Sequence, residues 1–387
     1  TPEMVGEICG CRACDVVKVA EFMARNSCRD KTTAFCYATG FTQHSSGTQI
    51  IRTCAILQLL LGNIGRPGGG ILALRGHSNV QGATDIPTLF GDLPNYIPLP
   101  EIAPQNATLK DYLENGHGFS GARDKQDGMW KLETERGSWK ALPKYMISLL
   151  KAWYGDAATS DNEYGYQWLP KLGGNQSLTV TMERALKGEV EGLLVFGQNL
   201  AVTNPNAGWS RDALRSLKWL VVCDMFENET ASVWYADPTG PAPKDCQTEV
   251  FYLPTSSLME KDGSANNTER LMQWHDRIRV SPGDCRSDAW WTYQLGKRLK
   301  AMAESEGLPR DEGLRALTWM YDDAPGAVNA QGLPRIEGDC DIDAVALEMN
   351  GVDLKTGKPI QGSGELRDDG STLCGCRLLS GFINEDG

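Results

Sequence analysis

Basic residues are in deficit in this 387-residue chain: 38 Lys and Arg stand against 50 Asp and Glu, a formal net charge of −12. That sign excludes broad binding to nucleic acid or to anionic membranes, which requires a basic face. Long apolar runs are missing too, and none approaches the roughly 18–20 residues of a membrane span. No G-x-G-x-x-G or G-x4-G-K-[ST] follows an apolar run, so neither an ordinary NAD site nor a P-loop is supported. Histidine is scarce at four residues, and His44, His117 and His275 lack the spacing of a metal site.

What is abundant is glycine, 42 residues, well above the usual share of about 7%. This excess predicts tight turns and close backbone approaches to a ligand. Hydrophobic residues at 41% and aromatics at 8% are enough for a real core and exclude wholesale disorder. The length predicts two domains or one large α/β body. The chain opens at Thr1-Pro2, where Thr1 can cap a helix with Pro2 at its first position. It is therefore read as a piece of a longer chain, in which export signals cannot be judged.

Twelve cysteines raise the question of a metal. Cys9, Cys11 and Cys14 form C-x-C-x2-C, and Cys374 and Cys376 a second pair. The first group is read as structural. Cys9 ends a short helix from Pro2 to Ile8 closed by Gly10, and Asp15 is the expected N-cap of a helix carrying Val16, Val19, Ala20 and Met23. A four-thiolate cluster would need a fourth ligand in register, and none is near. An oxidising compartment would allow disulfides, but no pairing is deducible.

Three stretches place an apolar run before a polar loop. Residues 33–37 lead into the loop 38–47 and a helix from about Thr48, closed by Gly62. Residues 192–196 lead into Gly197-Gln198-Asn199 and a helix around Ser210 to Leu217. Residues 219–222 lead into Cys223-Asp224 and on to Thr230. Continuous apolar strands predict parallel sheets buried on both faces, with polar residues at the strand ends where open α/β sheets bind nucleotides. A helix is expected near Pro143 to Trp153, and the chain past about 310 reads as loop.

The densest polar text follows Gly68-Gly69-Gly70: an apolar stretch ends at Arg75, and Gly76, His77, Ser78, Asn79, Gln81 and Thr84 follow at once. A guanidinium held there can grip a carboxylate with two parallel, charge-assisted hydrogen bonds. On pattern alone, a structural turn with a surface arginine reads equally well.

Arg75-Gly-His-Ser-Asn-Val-Gln-Gly82 resembles the formate-site segment of molybdenum- or tungsten-dependent formate dehydrogenases, catalytic (alpha) subunit. Tyr37 to His44, Leu60 to Gly65, Phe196 to Asn199 with Asn204 to Asn206, Asp224 to Thr230, and Glu260 to Arg270 with Gln273-Trp274 resemble the same family in order and distance. The likeness runs through the whole chain and is to the respiratory, exported branch, so this reads as a central fragment of such a subunit. It implies an α/β fold of the DMSO reductase/formate dehydrogenase type. Residues 1–76 would close a first pterin-dinucleotide domain, 77–310 form a second, and 311–387 lead toward a further C-terminal domain.

The resemblance also implies chemistry. Mo or W would sit between two molybdopterin guanine dinucleotides, with a selenocysteine or cysteine ligand and a 4Fe–4S cluster whose ligands lie outside this chain. Formate would be oxidised to CO2, or CO2 reduced. Arg75 would anchor the carboxylate, His77 line the pocket, and Thr84 sit by the substrate's path inward. Gly40, Phe41, Thr42, Gln43 and His44, with Gly76, Ser78 and Gln81, would contact cofactor. So would Gly197, Gln198, Asn199, Asp224, Asn228 and Thr230, and Gly263, Ser264, Asn267 and Arg270. For the last stretch a turn followed by a helix cap reads as an alternative. Expected partners are an Fe–S beta subunit and, in some members, a cytochrome; the expected location is the periplasm. The alternatives are a nitrate or polysulfide reductase of the same superfamily, a non-catalytic scaffold subunit, and a free-standing iron–sulfur carrier.

Overall fold

The computed structural model describes residues 1–86, 89–116, 141–267, 271–318, 321–322 and 326–383. Two compact units emerge, Thr1–Ala83 with Ala265–Gln273, and Thr84–Ser264 with Trp274–Gly387.

In the first unit Thr1 caps the helix Pro2–Cys9, its hydroxyl accepting from the Met4 amide, and Gly10 ends it in the left-handed region. The next helix is Ala13–Arg25. Asp15 lies in its first turn and is not the cap: Arg12 precedes the helix in extended backbone and pairs with the Asp15 carboxylate at 2.8 Å. Strand β1, Ala34–Tyr37, runs parallel to β2, Gly70–Ala73, with Tyr37 opposite Ala73. The crossover contains the helix Gly47–Leu60, as expected of parallel neighbours.

The centre of this unit is polar. Gln58 and Asn63 are wholly buried, and among the described residues Cys54 is the one apolar side chain buried with them. The Gln58 amide donates to the carbonyls of Thr33 (2.9 Å) and Gly70 (2.6 Å), joining the starts of both strands. Asn63 Nδ2 donates to Gln58 Oε1 and to the hydroxyls of Ser27 and Thr33.

In the second unit a parallel sheet runs β5 (Gly192–Phe196), β6 (Trp219–Asp224), β7 (Glu249–Pro254), once the short antiparallel pair β3 (Asp92–Leu93) and β4 (Ile97–Pro98) has been passed. The helices Leu178–Leu186 and Ala207–Arg215 bury Met182, Ala185, Ala213 and Leu214 against Val195, Leu220 and Val222. The expectation of burial on both faces fails here, because alternate residues point away from those helices. Leu194 and Phe251 are each 44% exposed. A second core gathers around the helix Leu142–Tyr154, with Tyr112, Tyr166, Leu366 and Cys374.

Strands β8 (Gly263–Asn267) and β9 (Leu271–His275) form a hydrogen-bonded pair, so the alternative of a turn and helix cap for this stretch does not hold over Gly263–Asn267. Past 310 the chain is more ordered than its loop-like text predicts: the helix Ile342–Asn350 is followed by β10 (Val352–Asp353), β11 (Lys358–Pro359) and β12 (Thr372–Leu373). Among the described residues no helix is long and apolar enough to cross a membrane.

Candidate functional site

Parallel pairing of β1 and β2 puts their C-terminal ends side by side, the edge at which open α/β sheets present ligand loops. The Leu74 amide still donates to the Tyr37 carbonyl, after which the strands part. On the β1 side the chain coils through the short helix Thr39–Thr42, with Phe41 stacked on Tyr37 at 5.8 Å between centroids. His44 Nε2–H donates back to the Gly40 carbonyl at 2.8 Å, closing the loop on itself. Gly47 is buried where the next helix begins, and a Cβ there would meet the carbonyls of Thr42 and Phe41 at 2.6 and 2.8 Å. The loop therefore packs tightly against the helix start while Gly40, Thr42, Gln43 and His44 stay exposed.

On the β2 side Arg75, Gly76, His77 and Ser78 are all exposed, in a span with neither helix nor strand. The helix Val80–Asp85 then starts, with Gln81 half-buried. Asn79, between span and helix, has φ +58, a region a non-glycine residue enters seldom and asparagine most readily. Its Oδ1 accepts from the Asn266 amide at 2.9 Å, and Asn267 Oδ1 accepts from the Val80 amide at 3.1 Å. Asn266 Oδ1 is buried with no partner among the described residues. The structure thus joins the 38–47 loop, the Arg75–Ser78 span and the end of β8 in one unit. Arg270, proposed to contact cofactor, lies outside the described residues, as does His117.

The second unit repeats the geometry. Phe196 lies opposite Cys223, so Gly197–Asn199 and Asp224–Thr230 leave the same sheet edge. Asp224 Oδ1 accepts from the Met225 amide and Oδ2 from Asn228 Nδ2, both at 2.7 Å. Asn228 Oδ1 accepts from the amides of Thr230 and Ala231, making the loop a closed turn. Thr230 is fully buried; its hydroxyl donates to Asn199 Oδ1 at 3.0 Å and accepts from the Ala201 amide at 3.1 Å. Asn199 Nδ2 donates to Glu229 at 2.5 Å. A backbone hydrogen bond and this amide hold the Glu229 carboxyl below its ordinary value. Of the residues expected to meet a ligand, Gly197 and Gln198 are exposed and Asn199, Asp224 and Asn228 half-buried, while Met225, Phe226, Glu227 and Glu229 of the same edge are exposed as well. Gly263 and Ser264, at the start of β8, are half-buried.

Thr84 also belongs to the second unit, where its hydroxyl lies 3.0 Å from that of Tyr96. Tyr96 and Asn95 both have positive φ, +59 and +72, and composition gave no sign of this pair beyond the Pro94-Asn95 turn signal.

Among the described residues no three His, Cys, Asp or Glu are placed together to hold an ion. Cys9, Cys11 and Cys14 are exposed free thiols. Burial pushes the thiols of Cys374 and Cys376 up to about 12 and 11. They act as donors, Cys374 to the Met349 carbonyl and Cys376 to Asn95 Oδ1.

A family profile for molybdopterin oxidoreductases matches residues 13–298, most of the chain and every loop just described apart from the first helix. The chain belongs to the molybdopterin oxidoreductase family. Along its whole length it is 35% identical to the major subunit of the nitrate-inducible formate dehydrogenase of Escherichia coli K12, covering 37% of that protein. It is 36% identical to the alpha subunit of formate dehydrogenase 2 (cytochrome c-553) of Nitratidesulfovibrio vulgaris, of which it covers 36%, and 34% identical to a formate dehydrogenase major subunit of Haemophilus influenzae, of which it covers 37%. The chain thus spans little more than a third of the length of these relatives. As a molybdopterin oxidoreductase it is of the α/β type and works with a molybdopterin cofactor carrying Mo or W.

The residues present suit such a group. A pterin offers flat rows of N–H donors and ring acceptors, and its phosphate requires backbone amides and uncharged polar side chains where no P-loop exists. The loops at both sheet edges supply these, and the buried, unpartnered Asn266 Oδ1 is an acceptor in want of a donor.

Proposed function

We propose that this chain is part of the catalytic alpha subunit of a formate dehydrogenase, which oxidises formate to CO2 or runs the reverse reduction. The cofactor form proposed is two molybdopterin guanine dinucleotides. Residues 40–44, Gly76, Ser78, Gln81 and the end of β8 would serve one, and Gly197–Asn199 with Asp224 and Asn228 the other, the buried Thr230 bracing that loop from behind. The bound Mo or W centre supplies a two-electron acceptor. Formate leaves as CO2 when its hydrogen departs with two electrons, as a hydride or as a proton with the electrons passed on separately.

The protein's part is to capture and orient a very small anion. Formate offers little beyond one carboxylate, and a planar guanidinium matches it with two parallel bonds. Arg75 is that group, His77 lines the same span, and Thr84 stands by the path of substrate. The observation that carries the reading is the exposed Arg75-Gly76-His77-Ser78 span at the β2 end, beside the 38–47 loop, in a molybdopterin oxidoreductase with formate dehydrogenase relatives along its entire length. Electrons would leave through a 4Fe–4S cluster to an Fe–S beta subunit. The name of the N. vulgaris relative supports a cytochrome as a further partner. Likeness to the respiratory branch supports a periplasmic location.

The test is Arg75→Lys in the assembled enzyme, with elemental analysis for Mo and W. Lysine keeps the charge and loses the planar fork, so formate KM should rise and turnover fall at unchanged metal and pterin content. Normal formate turnover would remove Arg75 from the site. An assembly without Mo or W would favour a scaffold subunit instead, and turnover of nitrate or polysulfide without formate would move the chain to another branch.

A further inference from the structure

Arg75–Ser78 is an exposed span with neither helix nor strand; ordering a residue's backbone costs about 1–2 kcal/mol, and an arginine fork matches a carboxylate only when well oriented. Upstream the span is fixed, because β2 pairs with β1 and the Leu74 amide is bonded to Tyr37. Downstream no strand follows, and the helix Val80–Asp85 has only six residues. What fixes that end is a reciprocal pair of carboxamides. Asn79 accepts from the backbone of β8 at Asn266, and β8 answers through Asn267, which accepts from the backbone at Val80. Both bonds are about 3 Å long, so the loop and the strand each give one amide and receive one.

Two further features show that the local sequence is fitted to this clasp. Asn79 holds φ +58, a conformation that costs a non-glycine residue about 1–3 kcal/mol and persists only where its surroundings over-determine it. Gly82 is buried against the clasp, and a Cβ there would run into Asn79 Oδ1 and come within 3.2 Å of the Asn266 Cβ. Within the second unit, the Arg277 amide, just past β9 in sequence, donates to Asp262, just before β8, at 2.8 Å, and Asn329 donates to the same carboxylate oxygen at 3.0 Å.

We propose that Asn79 and Asn267 are positioning residues for formate capture, a two-bond clasp that holds the Arg75–His77 span at the orientation the carboxylate requires. The proposal rests on the formate reading of Arg75. Neither asparagine touches formate in it; both act through the backbone just after Ser78.

The experiment uses the assembled, metal-loaded enzyme and formate itself. Asn79→Gly permits the positive φ and removes the carboxamide, while Asn267→Ala removes the acceptor for Val80. Asn79→Gly should raise formate KM about tenfold with kcat within roughly threefold of the parent, at unchanged metal and pterin content. Asn267→Ala should raise KM by a similar factor, measured per metal-loaded enzyme because β8 is also proposed to face cofactor. Hydrogen exchange should quicken at the Asn266 amide in the first variant and at Val80 in the second. As parts of one clasp, their effects should combine to less than their product. Arg75→Lys is measured alongside. If it is impaired and Asn79→Gly keeps the parent KM while the Asn266 amide loses protection, the clasp does not aim the arginine and the proposal falls alone. If Arg75→Lys is itself unimpaired, the formate reading falls and takes the proposal with it. Loss of kcat or metal at unchanged KM would mark a merely structural bond and also overturn it. Should Asn79→Gly fail to fold, Asn267→Ala decides by the same KM and exchange criteria.

Discussion

The phenol of Tyr96 donates to a carboxylate oxygen of Asp85 at 2.7 Å, and Asp85 is fully buried. The same oxygen of Tyr96 lies 3.0 Å from the Thr84 hydroxyl, so a residue proposed to line the substrate's path is tied through one phenol to a buried carboxylate. Asn95 is fixed in its turn by the Leu378 amide (3.0 Å) and the Cys376 thiol (3.4 Å), which maintains the positive φ of both turn residues. Replacing Tyr96 by Phe deprives a buried carboxylate of one hydrogen bond, which costs about 1–3 kcal/mol. Denaturant unfolding of Tyr96→Phe should show a loss of this size, and an unchanged midpoint would mean that Asp85 does not depend on the phenol.

Gln58 makes a second case. Its single side chain serves two strand carbonyls and accepts from Asn63. Gln58→Leu keeps the bulk but removes three hydrogen bonds, two of them to the carbonyls of Thr33 and Gly70, for a destabilisation of roughly 2–5 kcal/mol. Amide exchange across Gly70–Ala73 should quicken well beyond that across β5 or β6. Uniform exchange throughout the chain would contradict a local clamp.

Thr230→Val preserves shape and removes the hydroxyl between Asn199 and Ala201. Loop 197–199 then loses its brace, and the expected outcome is a stability loss of about 1–2 kcal/mol together with reduced pterin content in purified enzyme. Full cofactor loading would assign Thr230 a role in folding alone.

Glu348 sets a pH dependence. Burial pushes its carboxyl up to about 7, although the Tyr321 hydroxyl bonded to it pulls the other way. The folded chain therefore binds this proton more tightly than the unfolded one. Stability from this group is complete below the unfolded value near 4.5, declines as pH rises toward 7, and stays level beyond. Glu348→Gln should flatten that decline and raise the melting temperature at pH 8, by up to about 3 kcal/mol in stability. A parent and variant with parallel melting curves from pH 5 to 8 would refute it.

Much of this was open to reading in the amino-acid sequence. The apolar run Gly192–Phe196 is a strand with those bounds, and the polar residues after β1, β2, β5 and β6 lie at the strand ends as parallel topology requires. Strand β7 escaped because Glu249–Pro254 starts with a charge and ends with a proline. Strand β8 escaped because Gly-Ser-Ala-Asn-Asn has no β-branched residue and reads as a turn. Exposure of one face of β5 and β7 was also hidden, since an apolar run carries no record of which neighbour covers it. Asn79 stood in plain view among several donors. Its role depends on partners 187 residues away and on a backbone angle, neither of which leaves a local pattern.

That separation has a consequence for how the molecule is made. Asn79 leaves the ribosome long before Asn266, and at about 5–20 residues per second roughly 10–40 s pass between them. During that interval β5, β6 and β7 are complete in sequence and free to pair, whereas the Arg75 span lacks the strand that holds it. Arg75, the proposed anion anchor, is thus synthesised well before the strand proposed to set its span in place. A nascent chain stalled before residue 265 would carry every residue from Arg75 to Ser78 and still want the hand that steadies them.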